Sequence, residues 1–166
     1  MIKVIGAKGN IDDVDNFLKK ILKFSEKYKI VIQAFDADLV YGKDHLISAS
    51  EHATRAFERG KNSTNSLAME ILLYASGERQ IQKSIQKLGV KKGKSNVAFV
   101  FDGKVSDDIV ENTLRDLDLS RDDKVLEGNK DTLKKFGIAQ KELMTISENS
   151  YGHLILEKVA MVDIIK

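Results

Sequence analysis

The sequence predicts an α/β protein of the α+β type, a single helix-rich domain packed on a small mixed, largely antiparallel β-sheet. Three observations carry that reading. Apolar residues recur at helical spacing through most of the chain. Short runs rich in β-branched and aromatic residues, Ile30-Val31-Ile32 and Val97 to Phe101, break that period. The 166 residues suit one domain and allow about two-thirds of the extended surface to be buried. No internal repeat or low-complexity linker divides the chain, so the domain is expected to span residues 1–166.

Ile2 to Ala7 reads as a short strand, ended by a turn at Gly6-Ala7-Lys8-Gly9-Asn10. A helix follows over 12–28, with Val14, Phe17, Leu18 and Ile21 on one face and Asn10 or Asp12 as its cap. Lys29 to Val40 reads as a central strand. Asp44 suits the cap of a second helix over 44–59, whose stripe of Leu46, Ala49, Ala53 and Ala56 is small enough for close packing. Gly60 stops it. The third helix, over 66–76, is apolar nearly all round and belongs in the middle of the fold. Gly77 breaks the chain before a fourth helix over 79–88. Ile81, Ile85 and Leu88 are expected inward, with Lys83, Ser84 and Lys87 outward, and Gly89 as a left-handed cap. Asn96 to Phe101 is a strand, and Ser106 caps the next helix. The 119–128 segment shows no clear period. Short helices are expected near 130–136 and 140–144, and the tail from 151 to 165 reads as a helix or a helix plus strand.

Composition excludes several kinds of chemistry. Without cysteine there are no disulfides, thiolate metal sites or thiol nucleophiles. The opening residues carry no charged stretch followed by a long apolar run, and nothing approaches the roughly 20 apolar residues of a membrane span. A soluble, cytoplasmic protein with no membrane partner is expected. The net charge of +2 says little by itself.

No catalytic set can be assembled. Gly6-Ala7-Lys8-Gly9 lacks both the Gly-Lys-Ser/Thr ending of a P-loop and the three-glycine dinucleotide pattern. Asp36 and Asp38 would project from the same side of a strand, and with Asp44 they resemble a weak magnesium site. His45 and His52 lie two helical turns apart, too far for direct co-ligation. No serine sits in a nucleophile elbow. Neither catalytic residues nor a metal or other cofactor is expected.

Charge distribution is more informative. Arg55, Arg59, Lys61, Arg79, Lys83 and Lys87, then Lys91, Lys92 and Lys94, face only Glu58, Glu70 and Glu78 within the same stretch. Acidic residues dominate from Asp102 to Glu127. A basic middle of this kind is either a solvated face or a surface for phosphate.

The run Ala49, Glu51-His52-Ala53, Ala56-Phe57 and Gly60-Lys61-Asn62 continues in Glu70 to Gly77, Arg79-Gln80-Ile81 and Leu88-Gly89-Val90. It resembles the kinase-binding small subunit of the KEOPS complex, the PRPK-binding protein family. Asn129-Lys130 to Ile138, Glu142-Leu143 and the apolar end fit the same pattern, so the resemblance spans essentially the whole chain. It implies an accessory subunit that is not itself an enzyme and binds the complex's PRPK-type atypical kinase/ATPase. The complex makes threonylcarbamoyladenosine in transfer RNA, and archaeal-type members hold the single-stranded CCA end.

That resemblance points to Lys61, Asn62, Arg79 and Ile81, beside Gly77, as RNA-binding candidates, joined on charge by Arg55, Arg59 and Lys83. Leu154, Ile155 and Val159 are the candidate partner-binding residues, because the end of the chain carries more apolar residues than one short helix needs to bury. Two alternatives stay open. One is a protein-interaction adaptor with no RNA contact; the other is a stand-alone magnesium-dependent enzyme using Asp36 and Asp38.

Overall fold

The computed structural model describes residues 1–166. Four strands, β1 (Ile2–Ile11), β2 (Val31–Asp36), β3 (Gly93–Asp102) and β4 (Ser120–Arg121), form one sheet in the order β2-β3-β1-β4. Every neighbouring pair is antiparallel. β1 and β3 pair along their full length, from Ile2 opposite Asp102 to Ile11 opposite Gly93. Alternation along the strands sends Ile5, Phe99 and Phe101 to one face and Val4, Ala98 and Val100 to the other.

Helices cover both faces. On the first, α1 (Val14–Tyr28) and α5 (Asp107–Asp116) contribute Phe17, Ile21, Val110 and Leu114 to one core. On the second lie α2 (Gly42–Glu58), α3 (Leu67–Ser76), α4 (Ile81–Leu88) and α8 (Tyr151–Ile165). The alanine stripe of α2 is buried against α3 as its small side chains allow. α3 is buried from Glu70 to Ser76 and packs on α2, α4, α8 and β2. The short helices α6 (Lys130–Phe136) and α7 (Gln140–Met144) form a smaller core, closed by Tyr151 and Ile155 of α8. No helix is long and apolar enough to cross a membrane.

The structure corrects several expectations. There is no turn at 6–10, because β1 runs straight through it. Its glycines admit a neighbouring segment instead: a Cβ on Gly6 would stand 2.6 Å from the Asp122 carbonyl oxygen, and one on Gly9 2.7 Å from Leu119. β2 is an edge strand rather than a central one, since β3 occupies the position between it and β1. Asp13, not Asn10 or Asp12, caps α1, accepting from the Asn16 N–H at 3.1 Å. Asp44 lies inside the first turn of α2, which has no side-chain cap. In α4, Ser84 is buried and Ile85 is exposed, because the Ser84 hydroxyl bonds the Ser76 hydroxyl at 2.7 Å and so faces α3. Gly89 is extended rather than left-handed; a Cβ there would meet the Ile85 carbonyl at 2.5 Å. The tail is one helix, with no added strand.

Candidate nucleic-acid and partner interface

The candidate RNA residues divide between the two ends of α3. α2 stops where Gly60 takes a positive φ of 66°, and the chain turns through 61–66 to re-enter as α3, capped by Ser66. At this end stand Arg59, Lys61 and Asn62, all exposed, with half-buried Arg55 one turn back on α2. Arg55 lines a shallow groove with His52 and Leu156, between α2 and α8. The Asn62 amide donates to the Thr64 carbonyl at 2.8 Å and so braces the loop as well as lining it.

The interior of that loop is held by one carboxylate. Glu70, fully buried, accepts from the Ser63 N–H at 3.0 Å, the Thr64 N–H at 2.9 Å and the Thr64 hydroxyl at 2.8 Å. Lys166, just beyond α8, donates at 2.8 Å to Oε2, the oxygen that also accepts from Ser63. Burial pushes the Glu70 carboxyl up, but the Lys166 ammonium and the loop's donors outweigh it and hold the carboxyl below its ordinary range.

α3 ends at Gly77, whose φ of 72° suits glycine. Arg79 and Lys83 are exposed here, and Ile81 is half-buried, packed against the main core. Gln80 gives α4 no side-chain cap. Lys87 is used differently. Its ammonium donates to the Ser76 carbonyl at 2.7 Å and lies 3.8 Å from the centre of the Phe136 ring. Burial lowers its pKa, although Glu78 opposes the shift.

Lys87 and Lys91 are paired, with Glu78 and Asp36. Arg55, Arg59, Lys61, Arg79 and Lys83 form no ion pair at all. The structure therefore gathers Arg55, Arg59, Lys61 and Asn62 at one end of α3, and Arg79, Ile81 and Lys83 at the other. The ten residues of that helix separate the two groups by about 15 Å.

The partner candidates need correction. Ile155 and Val159 are 1% and 0% exposed and sit inside the small and main cores, so neither offers a surface to a partner. Leu154 is half-buried against the small core. The outer side of α8 carries Met161 and Ile164 instead, with Ile165 beside them; Ile164 is 75% exposed. The spacing of Tyr151, Ile155, Val159 and Val162 is the signal that separates these sides, since it marks one helical face as core.

Asp36 and Asp38 do not project together from a strand. β2 ends at Asp36, which caps a short 3₁₀ turn over Ala37–Leu39 by accepting from the Asp38 N–H at 3.0 Å. Asp38 accepts from the Asn96 amide at 3.3 Å.

Such a molecule, with free cations at both ends of a buried helix and an apolar stripe on an outer one, has the surfaces of a binding protein. Residues 9–162 match the family model described as kinase binding protein CGI-121. The chain is also 32% identical over 141 residues to the regulatory protein Cgi121 of Methanocaldococcus jannaschii, covering 81% of this chain and 84% of that one. The chain belongs to the CGI-121 family of kinase-binding proteins.

Proposed function

We propose that this protein is a non-catalytic subunit of the KEOPS complex that binds the PRPK-type kinase/ATPase and the 3′ CCA end of transfer RNA. In that role it supports threonylcarbamoyladenosine modification. The observation that carries the RNA part is the set of unpaired cations around Lys61-Asn62 and Arg79, on the segment that most resembles the KEOPS subunit. Unpaired cations neutralise phosphate without first breaking an internal ion pair. The two groups, about 15 Å apart, suit an extended single strand better than a compact duplex end. Arg79 has a flat guanidinium on which an unpaired base can stack.

For the kinase, the family description supplies the partner class and the end of α8 supplies the apolar surface. An adaptor without RNA contact would use that face alone and leave the cations idle. The test is a pair of binding measurements, one with the purified kinase and one with intact and CCA-trimmed transfer RNA. The proposal predicts that the kinase binds and that trimming weakens the RNA complex by at least about tenfold, since each stacked base contributes about 1–3 kcal/mol. Equal binding of trimmed and intact RNA leaves only the adaptor.

A further inference from the structure

Lys61 and Asn62 sit on a loop that is held from beneath by a charge pair whose two halves come from distant parts of the chain. Glu70 is in the first turn of α3, and Lys166 is 96 residues further on. The carboxylate is fully buried and the lysine side chain is 8% exposed. Neither reaches solvent freely, so neither is placed to touch RNA itself.

A buried carboxylate needs a counter-charge and full hydrogen bonding. Lys166 supplies the first. The Ser63 and Thr64 donors supply the second, and in doing so they fold the loop backbone inward and leave the Lys61 and Asn62 side chains outside.

The ammonium of Lys166 is itself held in place. It lies 4.7 Å from the centre of the Tyr74 ring. The Tyr74 hydroxyl donates to Asp163, whose other oxygen is 2.8 Å from His52 Nδ1. The His52 ring stacks on Tyr74. The last turn of α8 is thus tied to α2 and α3 by polar contacts, and those contacts bring Lys166 to Glu70.

We infer that Glu70 and Lys166 are positioning residues for the RNA-binding loop, shaping the Lys61–Asn62 surface that receives the CCA end. The inference rests on the RNA reading above and extends it to two residues that touch no RNA.

Charge gives the test its direction. Glu70→Gln removes a negative charge from a protein that binds a polyanion, so general attraction alone predicts equal or tighter RNA binding. Loss of positioning predicts weaker binding. The double variant Glu70→Gln/Lys166→Met keeps the net charge and replaces the buried pair with neutral groups, an exchange that often leaves stability intact. Binding of intact and CCA-trimmed transfer RNA is measured for wild type, Glu70→Gln and the double variant. Amide hydrogen exchange at Ser63 and Thr64 and the unfolding midpoint are followed alongside.

Both variants should lose about fivefold or more in affinity for intact RNA, as expected for lost buried hydrogen bonds. Affinity for trimmed RNA should change little, and exchange at Ser63 and Thr64 should speed up. If Glu70→Gln does not fold, the double variant decides by itself. If the double variant also fails to fold, the milder Lys166→Arg decides in its place: affinity for intact RNA is expected to fall in step with protection of the Ser63 and Thr64 amides, and lost protection with wild-type affinity, or lost affinity with wild-type protection, overturns the inference. Wild-type affinity and CCA preference in a variant whose loop amides have lost protection overturn the inference. So does unchanged loop protection in the double variant. A wild-type protein with no CCA preference defeats the underlying RNA reading instead, and is recognised before any variant is made.

Discussion

His45 shows how one buried side chain fixes local structure and pH response together. The Tyr41 N–H donates to its Nδ1 at 3.1 Å, which leaves the proton on Nε2 to donate to the Ala75 carbonyl at 2.8 Å. Burial lowers its pKa to about 4. The unfolded chain then binds a proton from about pH 6.5 downward and the folded one does not. Stability from this residue is complete above pH 6.5 and is lost as the pH falls toward 4, by about 1.4 kcal/mol per unit and about 3 kcal/mol in all. Denaturant titrations between pH 7 and 5 should show that slope in the wild type. His45→Gln should be less stable at pH 7 and should lack the slope. Gly6 makes a second residue-scale case. The atom facing its absent Cβ is a backbone oxygen at 2.6 Å, which cannot swing aside. Gly6→Ala should therefore destabilise by about 1–3 kcal/mol in chemical denaturation, whereas a site in a free turn would tolerate the change.

At the scale of elements, helices were more legible than strand limits or helix faces. α3 could be placed because an apolar run lies between the polar stretch 62–65 and the break at Gly77. Ser66, expected as its first residue rather than among the cap choices at 62–65, is the cap, and Gly77 ends the helix in the left-handed conformation. α6 and α7 fall where short helices were expected. The turn expected at residues 6–10 was not there, because glycine in a strand carries the same local signal as glycine in a turn, and only the approach of residues 118–123 tells them apart. The edge position of β2 depends on pairing with β3 about 60 residues away, which local pattern does not encode. In α4 the polar Ser84 is inside and Ile85 is exposed, since a hydroxyl with a buried partner reverses the simple apolar rule. α8 is the element whose two sides matter most for function. Ile164→Glu should abolish or strongly weaken kinase binding while leaving the unfolding midpoint within a few degrees of wild type, because a charge at an interface centre costs affinity rather than folding. Ile155→Glu should lower the midpoint severely, since it buries a charge in the small core. Calorimetry and a kinase-binding assay on both variants separate these outcomes, and the reverse pattern would move the docking surface off the outer side of α8.

Across the whole molecule, a three-layer packing places α3 at the centre of one face and exposes only its two ends, and the candidate RNA residues cluster at those ends. Charge bias and family resemblance selected one stretch of sequence as the source of these candidates. Their division into two groups was not legible there, since it follows from how α2, α4 and α8 enclose α3. The support beneath the loop was hidden for the same reason: Glu70 reads as one acidic residue among many bases until folding brings Lys166 to it. The central claim is that these unpaired cations hold a single-stranded RNA end. Its most direct measurement is a salt titration of binding to intact and CCA-trimmed transfer RNA for wild type, Arg79→Ala and Lys124→Ala. Lys124 lies in the acidic segment and serves as the control. Each single-strand phosphate contact should contribute about 0.7 to the slope of log affinity against log salt. Arg79→Ala should bind intact RNA more weakly, with a slope shallower by nearly that amount, while Lys124→Ala should match wild type. Equal losses in the two variants, or equal binding of trimmed and intact RNA by the wild type, would contradict the claim.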